Sequence, residues 1–547
     1  MPRAARSRGA ALLAVLALCL ARGLWFTHGL TVPPDDDITR DLGFIQGILD
    51  GDLFGDPHNA GAWRWYPPLV HALAAAALAP GVAEPMPFWV HAGPWLGLLV
   101  PLSFWAMGVR LLGPSSAVAA TAVLVLFNGA ALTGDVAAGY TPFTLTPVLG
   151  WAVFFAGVRL ILARAGSGRI ADALLIGTWL GLAFLAHTVP AVLLSTVAAA
   201  VAFAARGAGL RTAAWLAVVA LTELAWGLLF VGPLLVAYRL RIANPAPGAW
   251  THLLLIVPMR KLFLATNLPG LAAAAAVAVL HRFGPLPRTS IAALAAWVGV
   301  CLAFLARHYA CGYAGEKGGA CGVFVVAAHH WEAYLQAAWA ALCGHALVLA
   351  ARWARPRWRA WPVVLRGGLA GAGALAVAAG AAGFLLQPED ARKRRQALET
   401  PGVMLDAVAC RWILRNTSPR DLFVTGLPAS DHEPSTIGPS AAAAMAAGRR
   451  LVAPPELHSN PYLDWAPKAE RRLSYLRGFA GGGAADLCAF AREAGAGAAA
   501  YFLLPRRLRP GNGAALDEAF HTADHSLYRV RPTVCAELGM PAADTRP

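Results

Sequence analysis

The sequence predicts a mainly α-helical membrane protein, with a polytopic core of about eleven transmembrane helices and a C-terminal α/β domain. Of its 547 residues 58% are hydrophobic and only 14% are charged, whereas about a quarter of the residues in soluble domains are charged. The apolar residues fall in stretches long enough to cross a bilayer. We predict spans at 9–31, 88–109, 116–133, 143–163, 171–186, 189–205, 212–238, 263–281, 289–307, 331–351 and 367–386.

Short arginine clusters between these spans predict the orientation. Cytoplasmic loops carry an excess of Lys and Arg, which places 164–170, 206–211, 282–288 and 352–366 inside, together with the N-terminus. This distribution accounts for the net charge of +15, so we expect no nucleic-acid partner. The basic start is followed by an apolar run without a small-residue cleavage pattern. We therefore interpret the first span as a retained helix with Cys19 in the core.

One further apolar run, 66–83, does not fit as a span. If it crossed the membrane, the later arginine clusters would fall on the wrong side. We predict that it lies along the outer interface as a juxtamembrane helix, next to an acidic outer loop at 32–65. The C-terminus is then also outside.

We predict that residues 1–389 form the transmembrane core and that residues 390–547 form a separate outer domain. Gly/Pro turns alternate with a charged helix at Ala466–Arg477 and with strand-like runs at Leu422–Thr425 and Ala498–Leu504. This alternation is typical of a small α/β domain. Ahead of it, 391–416 has the pattern of one amphipathic helix.

Two cysteines, Cys311 and Cys321, flank a Gly-rich loop that the predicted orientation places outside. Disulfides form and persist in oxidising compartments. A metal site is the alternative, but no second CxxC pair accompanies the two cysteines, so we predict a disulfide between them. The sequence does not indicate how Cys410, Cys488 and Cys535 pair.

The first outer loop is acidic in an otherwise basic protein. Between Thr31 and Leu69 it holds seven Asp and two Arg, and three of the Asp are consecutive: Asp35, Asp36 and Asp37. Adjacent carboxylates repel one another unless a cation or a proton compensates. They suit hard divalent cations such as Mg²⁺, Mn²⁺ or Ca²⁺, and a carboxylate here can equally act as general base toward a hydroxyl. A solvated acidic turn is the alternative.

The loop continues through a Gly-rich turn into Tyr66-Pro67-Pro68-Leu69 and an apolar helix. A first helix, an outer Asp-Asp loop and this entry resemble the GT-C glycosyltransferase superfamily, which includes protein O-mannosyltransferases, aminoarabinose transferases and arabinofuranosyltransferases. The motif covers Asp35–Leu69, and the layout of a multi-span core with a C-terminal outer domain agrees over the whole chain. The resemblance implies a polyprenyl-phosphate sugar as donor and an Asp of the loop as base or metal ligand.

The family pattern is a pair of acidic residues, so the register within the three consecutive Asp stays open. We favour Asp36 with Asp37 and keep Asp35 as the alternative. Related transferases carry a second Asp in a position comparable to Asp135, at the outer end of the third span. Asp135 can therefore complete a metal site with Asp36 and Asp37, or it can lie in an exposed turn.

Four basic side chains at outer helix ends are candidates for the donor phosphate. The resemblance implies a Lys or His that meets the lipid phosphate at the position of His187. Arg307 and one of His329 and His330 are further candidates, because a cation in a dry site stabilises the charge that develops on a leaving phosphate. His187 can instead be an interfacial side chain without a ligand.

The outer domain contains a segment dense in polar and aromatic side chains around 448–465. Sugar rings stack on aromatic rings, and amide or carboxylate groups hydrogen-bond their hydroxyls, so the segment indicates an acceptor site. The stretch 458–464 is similar to the outer domain of arabinofuranosyltransferases, and a loop that packs the domain is the alternative. The predicted acceptor residues are Tyr66, His458, Asn460, Tyr462, Asp464 and Trp465.

We therefore expect an inverting glycosyltransferase in a bacterial inner membrane, with its C-terminal domain in the periplasm. It would move a sugar from a polyprenyl phosphate to a glycan, lipid or protein of the cell envelope. Transporters are the second class, but the sequence shows no internal repeat and its ionisable residues concentrate at helix ends rather than at mid-membrane. A non-catalytic envelope assembly protein on the same scaffold is the third.

Overall fold

The computed structural model describes residues 3–81, 83–127, 139–244, 267–314, 328–426, 437–511 and 513–538. They form two compact units. The first comprises Met1–His28, His91–Val231 and Ala249–Arg392. The second comprises Gly29–Val90, Gly232–Gly248 and Lys393–Pro547. Residues 29–90 thus belong to the same unit as the C-terminal residues.

Helices dominate both units, and they are named here in chain order. The helices up to Leu385 are α1 (Arg3–Thr27), α2 (Asp36–Leu49), α3 (Leu69–Leu78), α4 (Pro85–Leu96), α5 (Leu99–Leu111), α6 (Pro114–Phe127), α7 (Thr146–Arg164), α8 (Ile170–Ala186), α9 (Thr188–Arg206), α10 (Leu210–Tyr238), α11 (Leu268–Leu280), α12 (Arg288–Ala314), α13 (Ala328–Ala354) and α14 (Val363–Leu385). The later helices are α15 (Pro388–Glu399), α16 (Pro401–Met404), α17 (Ala407–Asn416), α18 (Pro439–Ala446), α19 (Ala466–Gly481), α20 (Ala484–Ala494) and α21 (Val534–Glu537).

The apolar helices confirm a polytopic helical core. By length and composition, eight helices of the described chain can cross a membrane. Shorter apolar helices include α6, α8 and α11. Every predicted span falls on one of these eight or on one of the three shorter helices. The protein is therefore a multi-pass membrane protein.

Small residues set how closely the helices of the first unit approach. A Cβ on Gly344 of α13 would lie 2.2 Å from the backbone nitrogen of Ala120 in α6, so only glycine allows this contact. One turn away in α6, Ser116 Oγ lies 2.9 Å from His345 Nδ1. Small residues and interhelical hydrogen bonds are what hold helices together in a bilayer, where burial of apolar surface does not.

The predicted acidic loop at 32–65 contains a helix that was not predicted, α2. Asp35 is the N-cap of this helix, and its side chain accepts from the N–H of Asp37. Carboxylates at the N-cap and in the first turn favour a helix start because they satisfy free N–H groups and the helix dipole. The Asp cluster was interpreted as a cation or general-base site, with a solvated turn as the alternative, and it is also a helix-start signal.

Helix α3 is the part of the predicted juxtamembrane segment 66–83 that is helical. Its ten residues span about 15 Å at 1.5 Å per residue, which is about half of the hydrocarbon thickness. Its length is therefore compatible with a helix beside the membrane and too short for a span. In the second unit α3 packs against α2, and it buries His71.

A five-stranded sheet confirms the predicted α/β domain. Its strands are β1 (Leu422–Thr425), β2 (Arg450–Leu451), β3 (Ala500–Pro505), β4 (Leu516–His521) and β5 (His525–Val530). Their order is β2-β1-β3-β5-β4, with β1 parallel to β2 and β3, and β5 antiparallel to β3 and β4. Aromatic and aliphatic side chains of α19, α20 and the strands form one buried core on the sheet.

The single helix predicted at 391–416 is interrupted. It is divided into α15, α16 and α17, with breaks at Thr400 and at Leu405-Asp406. Pro401 has no N–H to donate and disfavours a helical conformation of the residue before it. Helix α17 then restarts with Asp406 as N-cap, whose carboxylate accepts from the N–H of Ala409 at 2.9 Å.

The structure shows the burial and the pairing of several cysteines. Cys19 is fully buried, which confirms it as a core residue. Cys488 of α20 is bonded to Cys535 of α21, a pairing that the sequence did not indicate. The predicted disulfide between Cys311 and Cys321 lies outside the residues whose side chains the structure describes.

We predict that replacing Cys488 and Cys535 with Ser lowers the free energy of unfolding of the second unit by about 2–4 kcal/mol, because the bridge restricts the unfolded chain. Thermal unfolding of the purified protein, with and without reductant, measures this loss. A Cys410→Ser variant is the control, since Cys410 is an unbridged buried cysteine. If the double variant and the reduced wild type unfold at the wild-type temperature, the prediction is wrong.

Candidate active site

The N-terminus of α2 holds the three consecutive carboxylates of Asp35, Asp36 and Asp37. Asp35 uses both oxygens: Oδ1 accepts from the N–H of Asp37 at 2.8 Å, and Oδ2 lies 2.5 Å from Lys393 Nζ. The side chains of Asp35 and Lys393 are both largely buried. Asp35 is therefore engaged in capping the helix and in an ion pair.

Asp37 is paired with a different cation. Its Oδ1 accepts from Arg40 Nη1 at 2.7 Å, one turn along α2, and its side chain remains 42% exposed. The Arg40 guanidinium is buried and lies 4.5 Å from the ring centre of Tyr66. Burial alone would lower the pKa of Arg40, but the carboxylates of Asp37 and Asp41 outweigh it and raise that pKa. Arg40 is therefore a permanent cation beneath Asp37.

Asp36 differs from both neighbours. Its Oδ2 accepts one hydrogen bond, from the backbone N–H of Ile437 at 3.2 Å, and within the described chain the structure gives it no ion pair. Burial and the adjacent charge of Asp35 raise the pKa of Asp36 to about 7, with a further contribution from Asp37. A partly exposed carboxyl with this pKa can take up and release a proton near neutral pH.

A buried pair of side chains, Asp41 and His71, adjoins Arg40. Asp41 Oδ1 lies 3.0 Å from Arg40 Nη2 and 3.2 Å from His71 Nε2, with the side chains of Asp41 and His71 fully buried. Burial lowers the pKa of His71, so the imidazole is neutral. His71 comes from α3, and its ring also packs against Phe44 of α2 with centroids 5.2 Å apart. The series Asp37–Arg40–Asp41–His71 thus anchors the first turn of α2 on α3.

Sequence reasoning missed Asp41 and His71 as site residues. The available signal was spacing, because Asp37, Arg40 and Asp41 share one helix face once α2 is recognised as a helix. The contribution of His71 depends on how α3 packs, which no local pattern gives.

His458 is brought to the same carboxylates. It ends a short 3-10 turn, Glu456–His458, and its Nδ1 lies 3.9 Å from Asp37 Oδ1. Burial lowers the pKa of His458, and its buried Nδ1 has no hydrogen-bond partner in the described part of the chain. Among the predicted acceptor residues, His458 therefore lies beside Asp37 and has a ring nitrogen, Nδ1, without a hydrogen-bond partner in the described chain.

The other predicted acceptor residues make internal contacts. Tyr66 lies beneath Arg40, and Asn460 is buried, where its amide donates to Asp56 Oδ2 at 3.2 Å and to Trp63 O at 3.1 Å. Both side chains help to hold the segments that carry the site together.

The remaining three acceptor candidates lie further along the same segment. Tyr462 stacks on Tyr238 with centroids 5.4 Å apart. Asp464 is exposed and accepts from the N–H of Ala466 at 3.2 Å, at the start of α19. Trp465 donates to the carbonyl of Pro454 at 2.7 Å. Tyr462 and Asp464 retain surface that a ligand can reach, since neither is buried.

In the first unit, two of the predicted phosphate ligands come together. The rings of His187 and His330 lie 4.8 Å apart. His187 is the N-cap of α9 and accepts from the N–H of Val189. A Cβ on Gly150 would lie 3.1 Å from His187 Cβ and 3.6 Å from the Tyr334 hydroxyl. That hydroxyl is buried without a hydrogen-bond partner among the described residues, so the group is polar and tightly spaced.

The other phosphate candidates are less informative. Arg307 is exposed on α12. The His329 side chain and Asp135 lie outside the residues whose side chains the structure describes.

Of the three predicted metal ligands, Asp36 and Asp37 lie within the described chain and Asp135 lies outside it. Within the described chain, no three His, Cys, Asp or Glu side chains are grouped so that they could hold one ion. The carboxylates of Asp35 and Asp37 are already paired with Lys393 and Arg40. We derive no step through a metal.

Comparisons with known proteins identify the fold. No model of a protein family and no curated protein matches the sequence. ArnT from Cupriavidus metallidurans in the apo state is similar in structure, with 14% identity and a TM-score of 0.53 over 96% of this chain and 99% of ArnT. ArnT bound to undecaprenyl phosphate gives 14% identity and a TM-score of 0.54 over 95% and 98%.

An oligosaccharyltransferase from Archaeoglobus fulgidus, tethered with an acceptor peptide containing the NVT sequon, is also similar. Its identity is 12% and its TM-score 0.50 over 90% of this chain and 69% of its own. These similarities concern the fold. The chain has the GT-C fold that the Asp35–Leu69 motif predicted.

We predict that Asp41→Ala destabilises the protein by about 3–5 kcal/mol, because it leaves the buried Arg40 guanidinium without one of its two carboxylate partners. Thermal unfolding in detergent measures this change. Asp517→Ala is the matched control, since its ion pair with Arg531 is exposed and exposed ion pairs contribute little to stability. Equal effects of the two substitutions would contradict the buried series.

Proposed function

From the GT-C fold and the carboxylates on α2, we propose that this protein is a glycosyltransferase. It takes a sugar from a polyprenyl-phosphate donor and transfers it to a glycan, lipid or protein of the cell envelope. The ArnT structure with bound undecaprenyl phosphate supports the class of donor, and the peptide-tethered oligosaccharyltransferase supports an acceptor on this fold.

One observation carries the proposal: within the described chain, Asp36 is the one of the three carboxylates that is not held in an ion pair. Lys393 engages Asp35 and Arg40 engages Asp37, while Asp36 keeps one backbone hydrogen bond and a pKa raised to about 7. Efficient general bases have a pKa near the working pH. We therefore assign the base to Asp36 rather than to Asp35 or Asp37.

The reaction then follows from the chemistry of a phosphate leaving group. Asp36 accepts the proton of the acceptor hydroxyl as its oxygen attacks the anomeric carbon of the donor sugar. The bond between that carbon and the phosphate oxygen breaks, and the electron pair leaves with the polyprenyl phosphate. Attack from the face opposite the leaving group inverts the configuration. The proton remains on Asp36 until it is released to solvent.

Neighbouring groups would assist without reacting. Arg40 fixes the orientation of Asp37, whose exposed oxygen can accept a hydrogen bond from the acceptor. The Nδ1 of His458, which has no hydrogen-bond partner among the described residues, can contact a second acceptor hydroxyl.

We propose His187 and His330 of the first unit as ligands of the donor phosphate. Their rings lie 4.8 Å apart, and the two imidazoles and the Tyr334 hydroxyl can each donate a hydrogen bond to a phosphate oxygen. Arg307 and His329 stay predicted phosphate ligands.

We further propose that the second unit lies on the outer side of a bacterial inner membrane, with the N-terminus inside. The Cys488–Cys535 disulfide supports this orientation, because disulfides form and persist in oxidising compartments such as the periplasm. The Arg clusters of the predicted inner loops agree with it.

We predict that Asp36→Asn lowers kcat for sugar transfer by about 10²–10⁴-fold, the usual contribution of a general base. Transfer from a synthetic polyprenyl-phosphate sugar to envelope extract, in proteoliposomes, measures this effect. Asp37→Asn is expected to lose less kcat, and the exposed Asp517→Asn is a control for expression and insertion. If correctly inserted Asp36→Asn transfers sugar at the wild-type rate, the base assignment fails and a transporter or assembly role gains support.

We also predict that kcat rises with pH around a midpoint near 7, because only the deprotonated Asp36 can accept a proton. Asp35→Asn keeps the helix cap but removes an adjacent negative charge, so the midpoint should move to lower pH. Lys393→Met removes the nearby positive charge, so the midpoint should move to higher pH. Rate profiles of the three proteins between about pH 5 and 9 measure these shifts. Identical midpoints would exclude Asp36 as the titrating group.

A further inference from the structure

Exposed apolar side chains lie together on the hairpin that follows α2. Gly55 and Trp63 form an antiparallel bridge, and the N–H of Arg64 donates to Phe54 O at 2.7 Å. Leu53, Phe54 and Trp63 are 38%, 39% and 41% exposed. Large exposed apolar patches on a folded protein mark sites of interaction with proteins, ligands or membranes.

Hydrogen bonds of two Asp side chains and of the backbone hold the hairpin. Asp52 Oδ1 accepts from the N–H of Gly55 at 2.6 Å and of Phe54 at 3.2 Å. Asp56 Oδ1 accepts from the N–H of His58 at 3.0 Å, and the Asp56 N–H donates to Ala62 O at 2.9 Å. The apolar side chains are therefore exposed on a hairpin whose backbone is hydrogen-bonded.

The hairpin is joined to the end of an apolar helix. The N–H of Trp63 donates to the hydroxyl of Tyr238, the last residue of α10, at 2.9 Å. Helix α10 is one of the helices that can cross a membrane, and Leu235 and Val236 in its last turn are exposed. Trp63 is thus attached where an apolar, membrane-type helix ends.

The chain then makes a strained turn that presents two cations. Arg239 and Leu240 have φ values of 51° and 54°, a left-handed conformation that is costly for residues with a Cβ. Hydrogen bonds from the N–H groups of Ala243 and Asn244 to Pro461 O, both 2.9 Å, fix the chain that follows. Arg239, Leu240 and Arg241 are all exposed, next to Tyr238.

We propose that these residues form an interfacial patch that binds phospholipid headgroups at the membrane surface where α10 ends. The interfacial patch consists of Leu53, Phe54, Trp63, Arg239, Leu240 and Arg241. Trp and Tyr concentrate at the level of the headgroups, and Arg side chains are attracted to anionic lipid phosphates.

A carbohydrate is the other occupant to consider. Leu53 and Phe54 offer no hydrogen-bonding side-chain group to a sugar, and the attachment to α10 puts the patch next to a bilayer rather than in open solvent. The observations therefore favour the bilayer. Bound to headgroups, the patch fixes the height of the second unit, and with it Asp36, relative to the lipid surface.

Spin labels test this position directly. Leu53→Cys carries a nitroxide in the patch, and Leu508→Cys carries one on another exposed Leu of the second unit, 45% exposed, that does not belong to the patch. The full-length protein is placed in vesicles of phosphatidylethanolamine and phosphatidylglycerol, and labelled wild type is subtracted. We expect the label at 53 to have a several-fold higher ratio of oxygen to nickel-chelate accessibility than the label at 508. Equal ratios would overturn the proposal.

The cations are tested separately. With the label at 53, Arg239→Gln/Arg241→Gln should reduce the accessibility ratio in anionic vesicles and leave it unchanged in purely zwitterionic ones. If the double substitution has no effect in anionic vesicles, the cations do not bind headgroups and the proposal fails in that part. If envelope oligosaccharide immobilises the label while lipid composition does not change it, the patch binds carbohydrate instead. These readouts do not depend on sugar transfer, so they remain valid if the proposed activity is wrong.

Discussion

The mutual repulsion of three adjacent carboxylates is the constraint on which the site depends. Adjacent negative charges on one helix end need compensation, and the structure supplies it unequally. Lys393 compensates Asp35, Arg40 compensates Asp37, and Asp36 is left with a raised pKa. The cations come from different places, since Arg40 lies one turn along α2 and Lys393 lies more than 350 residues later. The chemistry proposed for Asp36 thus depends on the packing of the C-terminal residues onto α2.

The same packing explains why α2 and α3 belong with the C-terminal residues in one compact unit. Gly43 of α2 allows a close approach, because a Cβ there would lie 2.3 Å from the carbonyl of Met445 in α18. On its other side, α2 is joined to α3 through Arg40, Asp41 and His71. A short amphipathic helix of this kind would not be stable alone. Held on both sides, it presents its acidic first turn in a fixed orientation.

The local sequence pattern predicted much of the fold, because membrane helices are recognisable from the length and composition of their apolar runs. The apolar runs, the short α3 and the strand at Leu422–Thr425 were all readable from the sequence. Helix α2 was not predicted, because an Asp cluster is compatible both with a loop and with the cap of a helix. The roles of Lys393, Asp41 and His71 were not predictable, because each depends on a contact between distant segments. His187 and His330 were named separately, and only packing shows their rings together.

The most direct test of the account is a titration of Asp36 itself. Infrared difference spectra of the carboxyl stretch, recorded for wild type and Asp36→Asn between about pH 5 and 9, isolate the signal of this one group. We predict a carboxyl signal that is lost on deprotonation with a midpoint near pH 7 and that is absent from the spectra of the variant. If the two proteins give the same spectra, or if Asp36 is already fully ionised at pH 5, its proposed role as the base is contradicted.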